Sequence, residues 1–173
     1  YVRPDSRNSI NEAFRVLRTN INMMTGTENG CKTLLLTSFN PNAGKTFVTL
    51  NLAASLALKG NKVLMMDFDL RKATLGKALK MNNKGIASYL SGKSDNVDEL
   101  IQSYTENLSL ISVGTLPPNP AELLDSARCK DLIEQLKAKF DFIVMDCPPI
   151  DLVTDTDLIY KYANLNTFVV RSG

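Results

Sequence analysis

Residues 32–46 read KTLLLTSFNPNAGKT, and no other stretch of the chain restricts its fold as strongly. Thr33–Thr37 is a short apolar run of strand type, Ser38–Ala43 is rich in turn formers, and Gly44-Lys45-Thr46 opens a helical pattern that runs to Lys59. A strand that turns through glycine into a helix leaves the first amide N–H groups of that helix without intrahelical partners. The helix dipole places partial positive charge at the same point. An anion satisfies both, so the layout is that of a phosphate-binding loop. On this reading Asn42, Ala43, Gly44, Lys45, Thr46 and Phe47 surround the phosphates of ATP. Lys45 reaches the β and γ groups, and the Thr46 hydroxyl ligates Mg2+. The strict pattern G-x-x-x-x-G-K-[ST] is broken once, where Phe39 replaces the first glycine.

The rest of the chain alternates between the two hydrophobic periods. Pro4–Met24 reads as a helix, with Ser9 and Glu12 spaced as a capping box and Ile10, Phe14, Leu17 and Ile21 at helical intervals. Glu12, Arg15 and Arg18 are assigned to its other faces. The helix from Lys45 stops before Gly60, a favourable residue beyond a helix end. Lys62–Phe68 is a second apolar run, Thr74–Gly92 reads as two short helices, and Val97–Tyr104 reads as another. Leu108–Val113 is a third strand; Asn119, Pro120 and Glu122 form a strong helix start. Ala127–Lys139 is helical and Phe140–Met145 is a fourth strand closed by Asp146. Thr154–Ala163 reads as a helix and Thr167–Arg171 as a last strand.

Strands that are apolar throughout and separated by helices predict an α/β three-layer sandwich with a mainly parallel sheet, the P-loop NTPase fold. In such sheets the carboxyl ends of the strands share one edge, and ligands bind there. Asp67 and Asp69 close the second strand and Asp146 the fourth, so all three converge on the loop after the first. Singly, acids at strand ends are commonplace. Gathered beside Lys45-Thr46 they are what a Mg·ATP site uses to hold the metal or to accept a proton from an attacking hydroxyl.

Composition removes several alternatives. A net charge of +2 offers no electrostatic case for nucleic acid. No apolar run is long enough to span a bilayer, and no secretory signal opens the chain. Cys31, Cys129 and Cys147 lack metal-ligand spacing and read as small hydrophobes in a reducing compartment. The chain has no histidine, which excludes every mechanism built on an imidazole base.

These motifs together resemble the bacterial tyrosine kinases of capsular and exopolysaccharide assembly, over nearly the whole chain. TSFNPNAGKT resembles their Walker A loop, VLMMDFDLRK their variant second motif, A′, and FDFIVMDCPP their Walker B. PPNPAELL is similar to a stretch that precedes the last of these. The resemblance implies that Lys45 and Thr46 bind phosphate and Mg2+, with Asp69 and Asp146 on the metal side and Asp67 nearest the tyrosine hydroxyl. Glu12-x-x-Arg15-x-x-Arg18 is similar to the motif that packs these kinases into a ring.

It also implies a tyrosine tail read by a neighbouring subunit, and a membrane-spanning chain-length regulator, fused or separate. The expected location is the cytoplasmic face of the bacterial inner membrane. The chain opens on Tyr1 and closes on Gly173, with Tyr89, Tyr104, Tyr160 and Tyr162 scattered between, so a single kinase domain cut from a longer protein is expected, without its final helix and tail. Two other readings compete: a nucleotide-sensing module, and a switch ATPase of the septum-site and partition type. The switch ATPases carry a second loop lysine where this chain has Asn40.

Overall fold

The structure is a computed structural model and describes residues 9–26, 30–78, 84–150 and 155–171. Six strands form one sheet: β1 (Lys32–Ser38), β2 (Val63–Asp67), β3 (Gln102–Thr105), β4 (Leu108–Ile111), β5 (Phe142–Asp146) and β6 (Leu165–Val169). Their order is β3-β4-β2-β5-β1-β6, and every pairing is parallel except β3 with β4. The helices are α1 (Ser9–Thr25), α2 (Lys45–Ala57), α3 (Thr74–Ala78), α4 (Ile86–Leu90), α5 (Pro120–Leu124), α6 (Ala127–Lys137) and α7 (Asp155–Tyr160).

Successive side chains of a strand face opposite ways, so each central strand supplies two cores. Leu34 and Leu36 of β1, with Val63 and Met65 of β2, pack beneath Phe14 and Ile21 of α1 and Leu52 and Leu56 of α2. Leu35, Leu64, Ile143 and Met145 face the other way, toward Ile86 of α4, Leu132 and Leu136 of α6 and Ile159 of α7. The result is the expected three-layer α/β sandwich. Helix α2 is apolar nearly all round because it lies between the sheet and α1, buried on both sides.

Three expectations need correction. Val97–Tyr104 is not a helix. A single 3-10 turn, Asp98–Leu100, leads into β3, which folds back on β4 as an antiparallel hairpin. The segment buries Val97 and Leu100, and it leaves Ser103, Tyr104 and Thr105 exposed on a polar edge strand. Asn119 does not cap α5 through its side chain; its amide donates to Glu122 Oε2 at 2.7 Å. Arg18 does not lie off the apolar face of α1. It follows Phe14 by four residues and precedes Ile21 by three, which places it on the same stripe, and it is only 9% exposed. Its guanidinium donates to the Ser55 carbonyl at 2.8 Å and to Ser55 Oγ at 3.1 Å, on α2. Residues 4–8 and Thr154, assigned above to helices, lie outside the described residues.

Gly85 owes its identity to close approach. It is extended, and a Cβ there would overlap the Ser112 carbonyl and the Gly114 amide beside β4. The contact is sealed by Ile86 N–H to the Ser112 carbonyl at 2.9 Å and Ala87 N–H to the Val113 carbonyl at 3.0 Å.

Candidate functional site

The carboxyl ends of β1, β2 and β5 meet at one edge of the sheet, as parallel order requires. Between β1 and α2 the chain turns through two left-handed residues, Asn42 (φ 61°) and Gly44 (φ 87°). Gly44 sits at the start of α2 and has no side chain to cap it, so the first-turn amides are left for an anion. Residues 41–47 line a cavity of about 330 Å³ together with Ser38, Asp69, Lys72, Thr74 and Pro149. That volume lies at the lower end of the range of small-molecule sites. All six residues read from the sequence as the phosphate cradle are on its wall. Phe47 is 56% exposed and meets Phe14 of α1 edge-on, with ring centroids 6.1 Å apart.

Asp146 is the fixed point of the site. It is wholly buried at the end of β5. One oxygen accepts from Lys45 Nζ at 2.8 Å and from Thr49 Oγ1 at 3.3 Å; the other accepts from Thr46 Oγ1 at 2.7 Å. The first two residues of α2 are therefore held against the end of β5 by one carboxylate. Thr49, one turn on, was not singled out from the sequence, although its position four residues after Lys45 was readable.

Asp67 and Asp69 part company. Asp69 lines the cavity, and its Oδ1 accepts the backbone N–H groups of Arg71 at 3.3 Å and Lys72 at 3.0 Å. Asp67 is not among the lining residues and is fully buried. Its oxygens accept the N–H of Asp69 at 3.1 Å and of Leu75 at 3.0 Å. Asp69 thus faces the cavity, while Asp67, expected from sequence to stand nearest an incoming hydroxyl, lies behind it and holds the turn. Burial, reinforced by the neighbouring Asp146 and Asp69, pushes the Asp67 carboxyl up to about 7.

Thr46, Asp69 and Asp146 offer hard oxygens of the type magnesium takes. Among the described residues no group of three or more histidine, cysteine, aspartate or glutamate side chains is gathered into a cage. A second cavity, about 250 Å³, lies on the other side of the loop, between Phe39–Ala43 and Val169–Arg171. Arg171 therefore stands beside the loop. Ser172 and Gly173 fall outside the described residues.

The proposed packing motif divides in the same way. Glu12 and Arg15 are exposed on α1 and bonded to each other at 2.6 Å, whereas Arg18 is committed to α2. The sequence reading also missed Asp155, a buried acid at the start of α7 that pairs with Arg71 of the segment after β2. The apolar alternation used to find strands carries no signal for such a partner.

A family described as an AAA domain matches residues 32–164. The chain is 37% identical to the tyrosine-protein kinase YwqD of Bacillus subtilis over 171 residues, which cover 98% of this chain and 71% of that protein. In structure it is similar to the kinase domain of the Escherichia coli tyrosine kinase ETK, with a TM-score of 0.87 at 34% identity, over 94% of this chain and 64% of that one. The likeness to the septum-site-determining protein MinD of Pyrococcus horikoshii, solved with Mg-ADP, is smaller: TM-score 0.68 at 27% identity, over 80% of this chain and 57% of the other.

Proposed function

Because the chain belongs to the P-loop tyrosine-protein kinases of bacterial capsule and polysaccharide loci, and is itself a protein-tyrosine kinase, we propose that it transfers the γ-phosphoryl group of Mg·ATP to tyrosine hydroxyls at this edge of the sheet. The observation that carries the reading is the single buried carboxylate of Asp146 holding both Lys45 and Thr46 at the mouth of an uncapped helix.

Phosphoryl transfer through a loose transition state asks a protein mainly for positioning and charge neutralisation. The amides of residues 42–47 hold the phosphate chain, and the Lys45 ammonium meets the charge on its β and γ oxygens. Thr46, Asp69 and Asp146 would hold magnesium, which when bound would neutralise negative charge on the phosphate oxygens. Asp67 keeps the Asp69 turn in place through the Asp69 and Leu75 amides.

We further propose that copies of the chain assemble through α1. Glu12, Arg15 and the exposed Val16, Met23 and Met24 would lie at the contact, with Arg18 securing α1 to α2 from within. The acceptors are tyrosines of neighbouring copies and of other proteins, and no nucleic acid is involved. The partner is a membrane-spanning chain-length regulator, fused or separate, at the cytoplasmic face of the bacterial inner membrane. Among the described residues no helix is long and apolar enough to cross a membrane. A switch ATPase shares the fold, but its second loop lysine is absent at Asn40.

The test is to incubate the protein with labelled ATP, Mg2+ and a tyrosine-rich peptide. Label in phosphotyrosine supports the kinase reading; label released only as free phosphate supports the switch.

A further inference from the structure

Arg71 and Asp155 lie 84 residues apart and are joined by two parallel bonds, Nε to Oδ2 at 2.8 Å and Nη2 to Oδ1 at 2.9 Å. Asp155 is 1% exposed and Arg71 is not buried, so the guanidinium covers the carboxylate from the solvent side. We propose that this pair is a strut that sets Asp69 for metal, and that Arg71 and Asp155 are positioning residues for the Mg·ATP site. The inference rests on the assignment of Asp69 to that site.

Three observations carry it. The first is leverage: the residue whose guanidinium is anchored on α7 also donates its own backbone N–H to Asp69 Oδ1 at 3.3 Å. Moving Arg71 therefore moves a ligand of the Asp69 carboxylate.

The second is strain. The turn Asp69–Ala73 closes through Ala73 N–H to the Asp69 carbonyl at 2.9 Å, and Ala73 is left-handed at φ 49° without being glycine. Such a residue persists where its surroundings over-determine it. The Arg71–Asp155 pair supplies that constraint from outside the turn.

The third is where the other end of the strut is fixed. The next residue of α7, Thr156, donates to the Pro148 carbonyl at 3.0 Å, and Thr37 of β1 donates to the same oxygen at 2.7 Å. Ile150 N–H reaches the Ser38 carbonyl at 3.0 Å. The first turn of α7 thus ties together the segments that follow β1, β2 and β5, the three strand ends that make the site. A bidentate arginine–carboxylate pair suits this task because it fixes orientation as well as distance.

The experiment is an equilibrium titration of a fluorescent ATP analogue at a series of Mg2+ concentrations, run beside thermal melting of the metal-free protein. Arg71→Ala is expected to raise the Mg2+ concentration needed for half-maximal binding by about tenfold, the usual scale for a lost support of a metal ligand. Metal-free nucleotide binding, which depends on the loop, is expected to change less than about twofold. Arg71→Lys keeps the charge but not the fork, so it should fall between the two.

If Arg71→Ala does not fold, Asp155→Asn carries the same expectation, and Arg71→Lys a smaller shift in the same direction. Asp69→Asn is the reference. If it shifts the Mg2+ midpoint while the Arg71 and Asp155 variants only lower the melting temperature, the strut is overturned and the pair is merely structural. If Asp69→Asn itself leaves the midpoint unmoved, the assignment of Asp69 falls, and the strut with it.

Discussion

Asp67 and Asp146 stand directly opposite one another in the register of β2 and β5, both fully withdrawn from solvent. The two acids do not share a fate, because their partners differ. Asp146 faces an ammonium and two hydroxyls; Asp67 faces two backbone N–H groups and the charge of its neighbour.

The first prediction concerns pH. Asp67 titrates near 7 in the folded protein against an ordinary 3.8, so the folded state holds a proton that the unfolded state has already released. Its contribution to stability is full below about pH 4 and declines as pH rises toward 7. The chain has no histidine to titrate in that window. Urea unfolding of the metal-free protein at pH 5 and pH 8 should show a loss for the wild type that is much reduced in Asp67→Asn. Equal losses in the two proteins would exclude the assignment.

Lys45→Met removes the charge opposite the phosphates and leaves Asp146 with two hydroxyl donors. Phosphoryl transfer should fall by about 10²-fold or more. Stability should fall as well, by about 3 kcal/mol, because a buried acid loses its counter-charge. Adding Asp146→Asn should return most of the stability but none of the activity. Denaturant melts and peptide phosphorylation measure the two effects separately, and near-normal turnover in a folded Lys45→Met would remove Lys45 from the site.

Arg15 and Arg18 should separate in experiment although they sit three residues apart. Arg18→Ala loses charge-assisted bonds to Ser55 and should cost about 2 kcal/mol. Arg15→Ala breaks only an exposed pair with Glu12 and should leave stability nearly unchanged. Light scattering at matched concentration should nevertheless show weaker assembly for Arg15→Ala. Unchanged assembly in that variant would place the contact elsewhere.

The tyrosines make the last prediction. Tyr89 is 5% exposed, its hydroxyl accepts from Gln135 at 3.0 Å, and the Arg128 guanidinium lies over its ring at 4.6 Å. Phosphosite mapping after incubation with ATP should find it unmodified in the folded protein. Tyr104 on its exposed edge strand and the partly buried pair Tyr160 and Tyr162 are the expected sites of any weak self-modification. A peptide carrying several tyrosines should compete well with all three. Strong labelling of Tyr89 alone would contradict the mechanism.

What the sequence determined by itself is the placement of groups that follows from local spacing around β1, β2 and β5 and from their parallel direction. Lys45 and Thr46 follow Gly44 at the start of a helix, and that placement is local. Asp69 and Asp146 come after apolar strands, and parallel order alone brings such strand ends to one edge. The ranges of β1, α2, β2 and β5 were legible for the same reason. The tertiary structure decided which way each side chain is used. Arg18 bears a charge and so reads as surface, yet α2 offers it the Ser55 carbonyl, and a satisfied guanidinium can be buried on the same stripe as Phe14 and Ile21. Asp67 and Asp69 are two residues apart on one segment, but the turn to Leu75 draws Asp67 inward and leaves Asp69 on the cavity wall. Arg71 and Asp155 have no periodicity that links them; only the packing of α7 over the strand ends makes them neighbours. Local spacing fixes which groups arrive at the edge, and long-range packing fixes which of them face the cavity, because burial and partner choice are properties of the assembled layers.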